Sequence, residues 1–308
     1  MNILVKNESY SIGIDVGGSR VKAAIVAPDG TLIGQVIEKS RVVDPYPAAR
    51  DQLISIVEGL ISTSSTRPTS VGIGVAGLMD VSNRIVLAAP NCPGVVGVPL
   101  ADDIEKLLGL PVEIENDANV MALGEGASGA ARGSRHYVAV TLGTGVGGAI
   151  ITDGKLFRGS TGGGSEIGHI CIDPNGPRCG CGSNGCLEAF IGLKGISVWL
   201  RRNANHMKNL HLPRISEMAM EGDPDAIKLF EWVGTTLGVA LAGVINLLNP
   251  DTIVVGGGTA SAGPMLFDPL REEIARRAFK VYQTKLRIVP ATLGNWAGVV
   301  GAGGLRRS

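Results

Sequence analysis

Four side chains that commonly bind transition metals occur within eighteen residues of one another. His169 is followed by Cys179, Cys181 and Cys186, and three thiolates with one imidazole are typical of a closed, structural zinc site. The alternative is a group of free thiols. A disulfide is disfavoured, because Cys179 and Cys181 are too close in the chain to pair without strain and nothing in the sequence indicates an oxidising compartment. The two other cysteines are predicted to be small buried side chains: Cys92 and Cys171.

A second candidate centre is the segment ENDAN at residues 115–119, where a strand-like run enters a helix-like run. Asp117 is a candidate general base, because a hydroxyl is a poor nucleophile and its phosphorylation benefits from a carboxylate that accepts the proton. The alternative, which local sequence alone favours, is that Asp117 only caps the helix.

Three glycine turns follow strand-like runs, at residues 15–20 (DVGGSR), 143–148 (GTGVGG) and 256–258 (GGG). Such turns can point backbone N–H groups at a phosphate, and Asp15 could hold Mg²⁺ through its water shell. Each turn is also compatible with a plain hairpin. Residues 143–148 match GxGxxG, but a strand-like run follows where a Rossmann fold needs a helix. No Walker A motif is present.

Composition narrows the class of protein. The 308 residues carry 28 basic and 28 acidic side chains, and this balance disfavours nucleic acid as a partner. The N-terminus lacks the apolar run of a secretory signal. Residues 232–250 contain no charged side chain, but the run is short for a membrane span and is predicted to be a buried helix. We therefore expect a cytoplasmic protein with no membrane partner.

The chain contains two similar patterns of elements. Each begins with short β-prone runs joined by glycine turns and continues with helix–strand units, which suggests a duplicated architecture with a cleft between its copies. The predicted strands lie at residues 11–16, 21–26, 31–40, 70–77, 111–115, 136–145, 146–154 and 251–255. The predicted helices lie at residues 47–63, 99–109, 118–127, 264–279 and 296–306, with further helices between residue 186 and residue 249.

The sequence resembles the ROK family of sugar kinases and related repressors. The motifs DVGGSR, ENDANVMALGE, LGTGVGGAI, GGGSEIGHI, CGCGSNGCLE and VVGGG occur in the family's order across nearly the whole chain. The resemblance implies an α/β fold of the actin-like ATPase or hexokinase type (ribonuclease H-like), with two lobes and a cleft between them. The predicted small lobe comprises residues 1–115 and 295–308, and the predicted large lobe comprises residues 116–294.

The resemblance also implies transfer of the ATP γ-phosphate to a sugar hydroxyl, usually O6, with Asp117 as the catalytic base. The implied sugar ligands are Asn91, Asn116, Asp117, Glu166, His169 and Glu188. The residues implied to surround ATP and Mg²⁺ are Asp15, Gly17, Gly18, Ser19, Arg20, Thr144, Gly145, Gly257 and Gly258. The implied ligands of structural Zn²⁺ are His169, Cys179, Cys181 and Cys186. His169 would bind zinc through one ring nitrogen and a sugar hydroxyl through the other.

Two positions depart from the family pattern. Ser19-Arg20 stands where Thr-Lys is common, and this change keeps a hydroxyl and a positive charge. Ala76-Gly77 stands where Pro-Gly is common, which affects the expected sugar preference.

Glucose is the favoured substrate, since APNCPG at residues 89–94 resembles a glucokinase segment. N-acetylmannosamine, N-acetylglucosamine, fructose and allose remain alternatives. A DNA-binding regulator is disfavoured, because only 14 residues precede Asp15, and a non-catalytic sugar sensor is a further alternative. The family leads us to expect a homodimer or homotetramer.

Overall fold

The structure, a computed structural model, describes residues 9–305. The chain forms two compact units. Of the described residues, the first unit comprises residues 9–133, 150–165 and 292–305, and the second unit comprises residues 134–149 and 166–291. We predict from the N-terminal residues that the chain lacks a secretory signal, and residues 1–8 lie outside the described range. The predicted lobe limits at 115/116 and 294/295 remain a prediction. The helix that begins at residue 117 packs against the helix at residues 297–303, and both belong to the first unit.

The first unit contains a five-stranded sheet in the order β3-β2-β1-β4-β7. Its strands are β1 (Ser11–Val16), β2 (Arg20–Val26), β3 (Leu32–Lys39), β4 (Val71–Val75) and β7 (Val112–Asn116). β1 pairs antiparallel with β2 and parallel with β4, and β4 pairs parallel with β7. A separate two-stranded sheet joins β5 (Leu78–Met79) to β6 (Val86–Ala88). β1 and β4 are buried on both faces because helices cover them, so they are mainly apolar, and Asp15 is the one charged residue of β1.

The second sheet repeats this order as β10-β9-β8-β11-β12. Its strands are β8 (Tyr137–Leu142), β9 (Val146–Thr152), β10 (Lys155–Leu156), β11 (Thr252–Gly256) and β12 (Arg287–Pro290). β11 pairs parallel with both β8 and β12. In each sheet, three consecutive strands form a meander, β1–β3 in the first sheet and β8–β10 in the second. Two further strands, each of which follows a helix, extend the meander on one side: β4 and β7 in the first sheet, and β11 and β12 in the second. The duplicated pattern predicted from the sequence is therefore present in the strand order.

The helices of the first unit are α1 (Tyr46–Ser62), α2 (Leu100–Leu108), α3 (Asp117–Ser128) and α10 (Ala297–Gly303). Those of the second unit are α4 (Leu187–Ile191), α5 (Leu193–Asn203), α6 (Leu212–Met220), α7 (Pro224–Leu248), α8 (Pro264–Arg277) and α9 (Lys280–Gln283). Local sequence signals define several ends. Asp223 caps the start of α7, and α2 ends at Gly109, whose φ of 67° suits glycine.

The apolar run at residues 232–250 forms most of α7. By length and composition α7 could cross a membrane, but 56% of its most apolar 18-residue window is buried inside the protein. It packs against α8, as a core helix does. The prediction of a buried helix is confirmed.

Candidate active site and metal-binding cluster

The predicted residues of the first unit lie along one edge of its sheet. Val16 is in register with Val75, and Val75 is in register with Asn116. Because β1, β4 and β7 are parallel, their carboxyl ends meet at this edge, which is the usual place for a ligand in an open α/β sheet. The glycine turn after β1 and the junction between β7 and α3 are therefore neighbours through β4.

Asn116 is the N-cap of α3. Its Oδ1 accepts hydrogen bonds from the N–H groups of Ala118 at 2.8 Å and Asn119 at 3.1 Å, and its Nδ2 donates to the Gly77 oxygen at 2.9 Å. Asn116 thus performs the capping that the alternative reading assigned to Asp117.

Asp117 is the first residue of α3, and its Oδ1 accepts from the Ala118 N–H at 3.0 Å. The positive end of the helix favours the ionised form of a carboxylate at this position. A carboxylate that is held as an anion at a sheet edge can accept a proton from a ligand.

Asp15 lies near the end of β1, where Lys22 of β2 is its cross-strand partner. Lys22 Nζ lies 3.3 Å from Asp15 Oδ2. Burial raises the pKa of Asp15, and the charge and hydrogen bond of Lys22 partly oppose that rise. Asp15 is therefore a half-buried carboxylate with one cationic neighbour, and it can act as an outer ligand of a hydrated cation.

The turn after β1 closes with a hydrogen bond from the Gly17 N–H to the Arg20 oxygen at 3.0 Å. It also touches the loop that carries Asn91, because a Cβ on Gly18 would lie only 2.7 Å from the Asn91 backbone oxygen. Glycine at position 18 is required by this close approach. Ser19 and Arg20 are exposed at the tip of the turn.

The charges of Asp117 and Asp15 both act on the thiol of Cys92. Cys92 is fully buried next to Asn91, and its pKa is raised to about 11 by burial and by the negative charges of Asp117 and Asp15. The two candidate acidic residues of the first unit thus act on one side chain. The prediction that Cys92 is a small buried side chain is confirmed.

In the second unit, His169, Cys179, Cys181 and Cys186 form a cluster whose ligand atoms all lie within 4.8 Å of one another. Cys179 Sγ lies 3.5 Å from His169 Nδ1, and Cys181 Sγ lies 3.6 Å from Cys186 Sγ. A tetrahedral zinc ion with its usual bond lengths sets S···N near about 3.6 Å and S···S near about 3.8 Å. The donor set and its spacing therefore fit a zinc ion.

The remaining ring nitrogen of His169 faces another predicted residue. Its Nε2 lies 3.9 Å from Glu166 Oε2, while Nδ1 belongs to the cysteine cluster. The two ring nitrogens of His169 therefore face different groups, as the predicted double role requires.

α4 begins directly after Cys186, and Glu188 lies in its first turn. Its Oε2 accepts from the Val146 N–H at 2.9 Å, and it fills the space that a Cβ on Gly145 would need. Leu193 N–H also bonds to the Thr144 oxygen at 3.1 Å. The structure therefore brings Glu188 to the 143–146 turn.

A cavity of about 360 Å³ opens beside this turn, and Thr144 and Gly258 line it. Gly257, with φ +88°, precedes Gly258 after β11. The other walls are mostly apolar and come from α5 and from residues 208–213. The sequence does not predict these walls, because an amphipathic helix such as α5 has the same pattern whether it lines a cavity or a core.

Cys171 corrects one prediction. It is exposed, whereas the sequence predicted a buried side chain. Cys171 pairs with Cys186 in an isolated β-bridge within the loop around the cluster, so no packed layer covers it.

The comparisons with known proteins agree with this architecture. Residues 11–308 match the ROK family, and the chain belongs to that family. A glucokinase from Thermotoga maritima is 36% identical over 304 residues, which cover 94% of this chain and 95% of that protein. A solved ROK family glucokinase from Streptomyces griseus, in complex with glucose and AMPPNP, has a TM-score of 0.82 and 33% identity, with 96% of this chain and 98% of that chain covered. The predicted fold class, actin-like and hexokinase-type, is confirmed.

The same fold also occurs in regulators. A solved ROK family transcriptional regulator, a homologue of the Escherichia coli Mlc protein, has a TM-score of 0.87 and 27% identity. That alignment covers 97% of this chain and 78% of the regulator. Because kinases and regulators share the fold, a function must be argued from the site.

Proposed function

We propose that this protein is an ATP-dependent sugar kinase that phosphorylates glucose, most simply at O6. Full-length similarity to a glucokinase and to a glucokinase solved with glucose and AMPPNP supports this class and this substrate. The observation that carries the proposal is the position of Asp117 at the carboxyl edge of β7, with Asn116 doing the helix capping.

Asp117 acts as the general base. It takes the proton of the attacking hydroxyl as the new P–O bond forms, and this role contributes about 10²–10⁴-fold to such reactions. Asn116 and Asn91 bind the sugar from the same edge. A helix N-terminus favours the ionised form of a carboxylate in its first turn, and the ionised form is the one that a general base needs.

The phosphoryl donor is MgATP. Asp15 would hold the hydrated magnesium ion, which neutralises charge on the phosphates, and the 17–20 turn supplies backbone N–H groups to them. The cavity lined by Thr144 and Gly258 has the size and the apolar walls to take an adenosine. Ser19, Arg20, Gly145 and Gly257 remain predicted members of the nucleotide site.

The cysteine cluster holds a structural zinc ion. The ion would fix the 166–188 segment, on which three of the predicted sugar ligands occur: Glu166, His169 and Glu188. His169 would offer Nδ1 to zinc and Nε2 to a sugar hydroxyl, since coordination of one nitrogen sets the tautomer and direction of the other. The sugar-binding roles of these three residues remain predictions.

Experiment must distinguish glucose from other sugar substrates, and a kinase from a sugar-binding regulator of the same fold. N-acetylhexosamines and fructose differ from glucose in a few contacts, and a regulator of the same fold would bind sugar without turnover. A cytoplasmic location and a homodimer or homotetramer remain predictions from the sequence.

The test is a coupled ADP-release assay with MgATP against a panel of hexoses and N-acetylhexosamines. We expect sugar-dependent release with glucose as the best acceptor. A different best sugar would overturn the substrate, and no release with any sugar from folded, zinc-loaded protein would overturn the kinase.

A further inference from the structure

A buried carboxylate that the mechanism does not use lies directly before the catalytic segment. Glu115 is 1% exposed, and its two oxygens accept four hydrogen bonds and form an ion pair with Arg158. Oε1 accepts from the Asn116 N–H and from Asn119 Nδ2, both at 2.9 Å. Oε2 accepts from Asn83 Nδ2 at 3.1 Å and from Arg158 Nε at 2.8 Å, and Arg158 Nη2 lies 2.8 Å from the same oxygen. Every lone pair of this carboxylate is therefore used.

These bonds join three segments of the first unit. Asn83 belongs to the turn between β5 and β6, Asn119 belongs to the first turn of α3, and Arg158 begins the 158–165 loop. That loop closes on itself through the Gly164 N–H and the Arg158 oxygen at 2.9 Å. Glu115 is thus the point where the end of β7, the start of α3 and this loop are fixed to one another.

Arg158 is the cation of this network. The other three donors are neutral amides, which orient a carboxylate but do not neutralise its charge. A buried charge is stable only when it is paired and hydrogen-bonded, and removal of one partner leaves it uncompensated. Without Arg158, Glu115 would have to turn toward solvent or admit water, and either change would release the backbone N–H of Asn116.

We propose that Arg158 is a positioning residue for the reaction: through Glu115 it holds the β7–α3 junction so that Asp117 points at the attacking hydroxyl. The inference rests on the proposed function for its catalytic readout. A general base must lie within hydrogen-bond reach of its proton, and a misplacement of about 1 Å can cost about 10²-fold in rate. Arg158 needs no contact with substrate to control the rate.

The key variant is Arg158→Met, which keeps much of the unbranched stem of the side chain and removes the charge. We expect kcat for glucose to fall at least about tenfold at a temperature where the variant is fully folded. Arg158→Lys should recover part of the loss, because lysine restores the charge without the two-pronged hydrogen bond. Arg50→Met, which removes an exposed arginine paired with Asp51 on α1, is the matched control and should keep kcat.

A double variant separates the proposed route from direct contact with substrate. Glu115→Gln combined with Arg158→Met removes the buried charge along with its partner, so we expect kcat at least about threefold above that of Arg158→Met alone. Failure of the second substitution to recover any rate would mean that Arg158 acts without Glu115 and would overturn the proposal. A kcat within about twofold of wild type in Arg158→Met would overturn it as well.

Hydrogen exchange gives a readout that does not depend on turnover. The Ala118 and Asn119 amides are protected by bonds to Asn116 Oδ1, so Arg158→Met should speed exchange in the peptide that covers the start of α3. Exchange in α1 should not change. Faster exchange in a protein with no kinase activity would refute the proposed function while the positioning contact stands. Unchanged exchange at the start of α3 would refute the positioning contact itself.

Discussion

At the scale of single residues, Asp117 carries the chemistry. Asp117→Asn keeps the size of the side chain but cannot accept a proton, so we expect kcat to fall at least about 10²-fold with thermal stability nearly unchanged. Asp225→Asn is the matched control, because Asp225 also lies in the first turn of a helix and should be dispensable for turnover. Near-normal turnover of Asp117→Asn would remove this residue from the role of base.

Asp15 predicts a pH dependence. Burial raises its pKa, and Lys22 partly opposes the rise. Magnesium needs the ionised carboxylate, so kcat/KM for MgATP should fall as pH drops through this raised pKa. Lys22→Met removes the opposing charge, so the acidic limb should move to higher pH. Lys39→Met changes an exposed residue of β3 and should leave the acidic limb at its wild-type pH. A Lys22→Met profile with its acidic limb at the wild-type pH would contradict the assignment of Asp15.

The cysteine cluster predicts metal content. Wild-type protein should carry about one zinc ion per chain by elemental analysis, and Cys181→Ser should lose it because three remaining ligands bind zinc more weakly. Cys171→Ser is the control, since Cys171 is exposed and lies outside the four-ligand cluster. Zinc retained in full by Cys181→Ser would contradict the site.

Residue types and spacing were sufficient to predict the cluster. His169 and the three cysteines offer four soft or borderline ligands within eighteen residues, which is the ligand set of a structural zinc site. The Glu115–Arg158 pair was not predicted, because the two residues are 43 positions apart and a charged pair at such a distance leaves no local pattern. The exposure of Cys171 was also missed, since an isolated bridge has no periodicity.

At the scale of elements, variants at the N-cap of α3 can distinguish an effect on stability from an effect on catalysis. Asn116→Ala removes two capping bonds and the bond to Gly77, so it should lower stability by about 1 kcal/mol or more and also lower kcat. Asp223 caps α7 with the same pattern, bonding to the Asp225 and Ala226 N–H groups at 3.0 and 2.9 Å.

Asp223→Ala should therefore destabilise the protein by a similar amount while leaving kcat unchanged. Thermal unfolding and steady-state kinetics on the two variants make the comparison. An Asn116→Ala variant that loses stability but keeps kcat would show that the residue is only a cap.

The long elements were predictable because their signals are periodic and capped. β1, β2 and α1 begin and end within about two residues of the predicted limits, which is the usual uncertainty of such boundaries. The short strands β5, β6, β10 and β12 were not predicted. Strands of two to four residues have too few side chains for a recognisable alternation, and tertiary contacts create them.

At the scale of the whole molecule, repeated strand order was suggested by repeated glycine turns. The two halves share pattern more than residues, so the sequence could indicate duplication but not the pairings of β12 or β10. The apolar run in α7 illustrates a similar limit. Composition alone fits a membrane span, and the choice for a core helix depends on packing against α8.

Sugar binding should stabilise the whole protein by mass action. Glucose at about 100 times its dissociation constant should add about 2.7 kcal/mol to the free energy of unfolding and raise the melting temperature. A calorimetric scan with and without glucose measures this shift, with a sugar from the assay panel that supports no ADP release as control. An unchanged melting temperature at saturating glucose would contradict a glucose site.

The central claim is that this protein moves the γ-phosphoryl group of ATP to glucose. The most direct measurement is ³¹P NMR of a reaction that contains the protein, MgATP and glucose. We predict that ADP and glucose 6-phosphate appear in equal amounts as ATP is consumed, with no free phosphate. ADP with inorganic phosphate alone, or no consumption of ATP, would contradict the account.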